Sequence, residues 1–155
     1  MTISQSDYTV PPPPGCSAAV AVHGPYYPEL TVYGSTVNGA RGFENYDCAI
    51  GPNQIIVWYQ IFPVQGTKIS ITTCNPATNF DTVITIFEGS TCSNVTCAIH
   101  NDDTHCSAYF SNASSLSFVP TSSSYFVVLG GYANMETGTY QISFLQNTTA
   151  PNKLK

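Results

Sequence analysis

The chain has 155 residues, four of them basic and nine acidic, for a formal net charge of −5; that length suits one domain and hardly two. Charged residues make up 8% of the chain, well below the roughly 25% of a typical domain, so solubility falls to Ser, Thr, Asn and Gln or to groups attached to them. With only Arg41 and Lys68 basic ahead of Lys153 and Lys155, the composition argues against a nucleic-acid surface, which needs clustered Lys and Arg, and against an electrostatic membrane anchor.

The first segment, residues 1–15, reads as an arm. Thr2–Val10 is polar, with Ile3, Tyr8 and Val10 as its apolar points, and Pro11–Pro14 should form a stiff polyproline II spacer. It does not read as a leader peptide: there is no basic n-region, and the longest early apolar run, Ala18–Val22, is too short for an h-region. Export would then involve a leader outside these residues, or the chain would be a fragment. No stretch approaches the length of a membrane span.

From Cys16 to Gln146 the signal is β. Ala18–Val22, Thr31–Tyr33 and Val95–Ile99 are the weaker strand candidates. Thr67–Cys74, Ser115–Val119 and Gly138–Leu145 alternate apolar and polar residues, the period of half-buried strands. Ile55–Phe62, Thr82–Glu88 and Tyr125–Gly130 are more continuously apolar and read as central strands. Turn residues separate them, as at Gly51-Pro52-Asn53, Asn75-Pro76 and Glu88-Gly89-Ser90. No amphipathic helix and no fixed-period repeat stands out. The expected fold is all-β: an antiparallel β-sandwich of jelly-roll-like or Greek-key order, followed by a short tail over residues 147–155.

Cys16, Cys48, Cys74, Cys92, Cys97 and Cys106 form an even set at scattered spacings. They read as three disulfides in an oxidising compartment, because the C-x2-C knuckles of common zinc sites are missing. Three glycosylation sequons, at Asn94, Asn112 and Asn147, agree with export. The expected location is secreted, extracellular or at the cell surface.

Several motifs in order resemble a known family. Trp58-Tyr59 lies in a strand after the second cysteine; a strand ending at Cys74 follows; Phe80-Asp81-Thr82 opens the next. Ile84–Gly89 leads to Cys92, then come Asn101-Asp102-Asp103 before Cys106, Tyr125–Val128, Gly130-Gly131-Tyr132 and Gly138-Thr139-Tyr140. Over about residues 16–146 this resembles the bacterial pre-peptidase C-terminal domain in its cysteine-containing variant. The resemblance implies a secreted, non-catalytic β-sandwich module appended to proteases or other exported proteins. Some relatives bind collagen or polysaccharide, and some bind calcium. It also implies a pairing of Cys16 with Cys48, Cys74 with Cys92 and Cys97 with Cys106, which the cysteine count alone leaves open among fifteen connectivities. The proline-capped arm is a departure from the family, as is the want of a catalytic domain among these residues. Both weigh against a role as accessory to an enzyme.

Asp81, Asp102 and Asp103 are the acids best suited to Ca2+, which takes six to eight oxygens. The competing reading has them bonding local backbone N–H groups as turn residues. No other cofactor is expected. His23, His100 and His105 are too scattered for a zinc site. There is no G-x-S-x-G elbow, H-E-x-x-H or phosphate loop, so no enzyme is expected. An isopeptide cross-link would have to use Lys68 and would need it buried. Tyr26, Tyr27, Tyr33, Tyr46 and Tyr132 fall in loop-like contexts and would make an adhesive surface if exposed.

Two functions follow as expectations. In the first, the domain is a structural subunit of an extracellular fibre or surface layer. Its arm, through Ile3, Tyr8 and Val10, adds as a strand to a neighbouring copy, and glycans coat the outside. In the second it is an accessory module that binds carbohydrate or matrix protein through its tyrosines, with calcium as a possible stabiliser.

Overall fold

A computed structural model describes residues 15–101, 106 and 112–148. Among these residues, ten strands run in chain order: β1 Val20–Val22, β2 Leu30–Ser35, β3 Ala40–Arg41, β4 Ile55–Ile61, β5 Ile69–Thr72, β6 Thr82–Glu88, β7 Thr96–Asn101, β8 Ser115–Phe118, β9 Tyr125–Gly131 and β10 Thr139–Leu145. They form a two-sheet sandwich. One sheet has the order β1-β4-β9-β6-β7, with β3 also against β4; the other has the order β2-β10-β5-β8. The short β3 and two 3-10 turns among the described residues, Cys16–Ala18 and Tyr46–Cys48, carry no period in the sequence.

The three continuously apolar segments became β4, β6 and β9, adjacent at the centre of the larger sheet. A strand buried on both faces has no reason to alternate. Their inner faces meet the smaller sheet in a core that includes Tyr59, Ile61, Ile84, Ile86, Val127 and Leu129, opposite Ile69, Ile71, Ile142 and Phe144. Their outer faces are covered as well. Ile56, Trp58, Phe87, Phe126 and Val128 pack under Cys16, Phe43, Cys48 and Ile50, which form a second apolar layer made of loops. The alternating segments β5, β8 and β10 instead leave Ser70, Ser117 and Thr139 toward solvent.

Disulfides staple that loop layer down, and they correct the pairing implied by the resemblance. Cys16 pairs with Cys92, Cys48 with Cys97 and Cys74 with Cys106, across 76, 49 and 32 residues. The expected pairs Cys16–Cys48, Cys74–Cys92 and Cys97–Cys106 do not form. The reason lies in the layers: Cys16 and Cys48 both sit on the outer face of the larger sheet, and each reaches down to the β6–β7 hairpin, through Cys92 and Cys97. Buried hydroxyls close the other end. The Thr73 and Thr82 hydroxyls bond at 2.8 Å, and the Ser114 N–H donates to Thr73 Oγ1 at 2.9 Å, beside the Cys74–Cys106 bridge.

Candidate functional site

The two sides of the sandwich differ. Tyr59 of β4 meets Tyr140 and Phe144 of β10 edge to face, so β4 lies over β10. That puts β2 on the same side as β1 and β3. On the opposite side, β7 meets β8, where Ser115 N–H bonds Asn101 Oδ1 at 3.4 Å.

Among the described residues, the β2 side is open. Thr36 N–H donates to Gly138 O at 3.0 Å, which fixes the alternation along the β2–β10 register. Leu30, Val32 and Gly34 therefore exchange bonds with β10, while the N–H and C=O groups of Thr31, Tyr33 and Ser35 point away from it. On β10 the alternation is matched: Gln141 N–H goes to Thr78 Oγ1 at 3.1 Å, on the far side from β2. Among the described residues no strand pairs with the outer edge of β2. Natural edges are blunted by charge, proline, bulges or brevity. β2 has six residues, Leu-Thr-Val-Tyr-Gly-Ser, with none of these devices. The other edges do: β7 has a register shift between Cys97 and Ile99, opposite Ile86–Phe87 of β6, and a cross-linked Cys97, and β8 is four residues long with Pro120 close behind.

Beside this edge lies a hollow of about 370 Å3. β1 and β3 pair with opposite halves of β4, at Tyr59–Ile61 and Ile55–Ile56, and the hollow sits in the interval between them. Gly15, Val20, Ala40, Val57, Tyr59 and Tyr140 line it. Gly34 gives Tyr140 room, since a Cβ there would stand 2.4 Å from the phenol oxygen. At the base, the Tyr59 and Tyr140 hydroxyls bond each other.

Burial pushes both phenols above their ordinary value near 10.0; their mutual bond raises Tyr140 further and partly offsets the rise at Tyr59. Burial raises Tyr26 too. A tyrosine whose folded-state pKa is raised contributes stability fully present below the unfolded value and lost as pH rises past it, because only the unfolded chain ionises freely. Stability measured by urea denaturation should therefore stay level on this account up to about pH 10 and fall steeply above it. Phenolate absorbance from these tyrosines should appear only together with unfolding.

The expected site residues are dispersed. The arm residues Ile3, Tyr8 and Val10 lie outside the described residues, as do Asp102, Asp103 and His105. Asp81 is half-buried ahead of β6; its N–H donates to Glu136 Oε2 at 3.2 Å and its carbonyl accepts from Tyr132 N–H at 2.9 Å. Among the described residues no three His, Cys, Asp or Glu gather as a metal site. His23 stacks on Phe62 with centroids 4.9 Å apart, and His100 is exposed on β7. Lys68 is exposed, which removes the basis for an isopeptide link. Asn94, Asn112 and Asn147 are all exposed. The tyrosines do not behave as a set. Tyr26 is buried, its hydroxyl donating to Val22 O at 2.5 Å, and Tyr33 lies in a strand rather than a loop. Tyr27, Tyr33 and Tyr132 are exposed. Tyr27 sits near the end of β4 and Tyr132 near its start, about 20 Å apart along the seven-residue strand. The edge of β2 itself had been legible only as the weak candidate Thr31–Tyr33.

Among the described residues no helix is long and apolar enough to cross a membrane. No family model and no curated protein matches the chain. Among solved structures, the chain is similar to PliG of Aeromonas hydrophila, a periplasmic lysozyme inhibitor of g-type lysozyme, at 9% identity and a TM-score of 0.48, over 83% of this chain and 97% of that one. It is also similar to the pre-peptidase C-terminal domain of collagenase from Bacillus anthracis, at 17% identity and a TM-score of 0.51, over 81% of this chain and 93% of that domain. This second likeness is one of fold, and it agrees with the resemblance read from the order of the motifs.

Proposed function

We propose that the protein is a non-catalytic, secreted structural subunit that assembles with copies of itself into an extracellular fibre or surface layer. The observation that carries this reading is the unblunted edge of β2, with the outward N–H and C=O groups of Thr31, Tyr33 and Ser35 beside an apolar hollow. Such an edge is a template for an added strand. The donor in this reading is residues 2–10 of a neighbouring copy. That stretch has no Lys or Arg and no proline. In an extended strand Tyr8 and Val10 share one face, two residues apart, and they supply the apolar side chains for the hollow. Pro11–Pro14 would span about 12 Å as polyproline II. A rigid spacer joined to Gly15, which lines the hollow, would favour delivery to a second copy over folding back. Donor and acceptor are then different surfaces of one chain, and their repetition builds an open filament.

The alternative, a module that binds carbohydrate or matrix protein, would draw on exposed tyrosines. Tyr27, Tyr33 and Tyr132 are distributed over both ends and one outer face, so they offer no single platform. Negative-stain electron microscopy of the full chain beside a variant lacking residues 1–14 tests the proposal. Filaments are expected from the full chain and monomers from the variant. Monomers in both samples would overturn it and return attention to glycan and collagen binding.

A further inference from the structure

A second, larger hollow of about 520 Å3 lies at the end of the sandwich where β6 finishes and β9 begins, within the range of small-molecule sites. Its walls are the β6–β7 turn and the loop before β9. Both walls are held in place. Gly89 N–H donates to Ser124 O at 3.2 Å, Gln60 Nε2 donates to Ser124 Oγ at 3.0 Å, and Ser122 Oγ donates to Glu88 Oε2. Tyr125, itself buried, accepts the N–H groups of Thr121 and Ser122 on its hydroxyl at 2.8 and 3.1 Å.

The lining contains no apolar side chain. It consists of Ser and Thr hydroxyls, the amides of Gln65 and Asn94, the backbone of Gly89, and one carboxylate, Glu88. A preformed concavity of this kind suits a polyhydroxylated ligand, whose hydroxyls both donate and accept. One such ligand has its attachment point on the rim. Asn94 and Thr96 both line the hollow, both are exposed, and together they form the sequon Asn94-Val95-Thr96. The sequon at Asn112 is different, because its Ser114 is fully buried with its hydroxyl donating to Thr82 O.

We propose that Asn94 carries an N-linked glycan whose first sugars lie in this hollow, hydrogen-bonded to the loop at residues 121–124. The glycan there is a packed part of the fold, not a free surface chain. This does not depend on polymerisation.

The test uses protein secreted by a host that attaches N-glycans. Peptide mapping should find Asn94 modified. Amidase release of that glycan from the native protein should be at least tenfold slower than after denaturation, and slower than release from Asn147 where that site is occupied. Ser123→Trp, at an exposed position on the wall, fills the hollow and should restore rapid native release. Should that variant not fold, Asn94→Gln serves instead, and the amides of residues 121–124 should exchange hydrogen several-fold faster in it than in the glycosylated chain. An unmodified Asn94, native release as fast as denatured release, or unchanged exchange at 121–124 would each overturn the proposal.

Discussion

Tyr33→Pro should leave the fold intact and abolish assembly, while Val32→Pro, one residue away, should damage the fold itself. The difference lies in the alternation along β2. The Val32 N–H bonds across to Ile142 on β10, in step with the Thr36–Gly138 bond. Proline there removes that ladder bond, which is why proline within sheets is confined to edges and bulges. The Tyr33 N–H points to the open edge, where proline is tolerated in natural sheets. Its side chain is exposed, so little packing is lost. In the proposed assembly, proline at this position removes a donor from the middle of the acceptor edge and places its ring in the path of an incoming strand. Thermal melting should place Tyr33→Pro within a few degrees of the parent, and light scattering should find it monomeric under conditions where the parent polymerises. Tyr33→Thr keeps the N–H and should still assemble. Polymerisation of Tyr33→Pro equal to the parent would show that copies do not join through β2.

Much of this architecture was legible in the sequence because burial writes itself into periodicity. The alternating runs at Ile69–Thr72 and Thr139–Leu145 became strands with one face in the core and the other carrying Ser, Thr and Gln, and the unbroken apolar runs at β4, β6 and β9 became strands covered on both. The cover itself was not legible. Residues 43–50 have no period, and they act by laying Phe43, Cys48 and Ile50 on the outer face of the larger sheet. The open edge was faint for a related reason: what distinguishes β2 is the lack of charge, proline and bulge at one edge, and only the strand order reveals which segment stands there. The disulfide pairing failed because connectivity follows spatial layers. Neighbours in the chain, such as Cys92 and Cys97, lie on one hairpin and serve two different partners.

That corrected pairing has a large energetic consequence. Replacing Cys48 and Cys97 together by alanine removes a link that closes 49 residues, which chain entropy values at roughly 4 kcal/mol. For a domain of this size, 1 kcal/mol shifts Tm by about 2–4 °C, so the melting temperature should fall by about 10 °C. The loss should have a local signature too. Cys48 is fully buried, and its carbonyl accepts the Thr85 hydroxyl at 2.8 Å, so the bridge pins the loop layer over Trp58, Phe87 and Phe126. Trp58 is the sole tryptophan, and loosening that layer should shift its emission to the red before the sandwich melts. Replacing Cys74 and Cys106 by alanine opens a loop of 32 residues and should cost nearly as much by the same entropy. Tryptophan emission should then change only at the main transition, because that bridge lies by the Thr73–Thr82–Ser114 hydroxyls and not over Trp58. Peptide mapping of the unreduced parent provides the companion result. Fragments joining Cys48 to Cys97 are expected, whereas fragments joining Cys16 to Cys48 would restore the pairing that the family resemblance implied and remove the staple from the second layer.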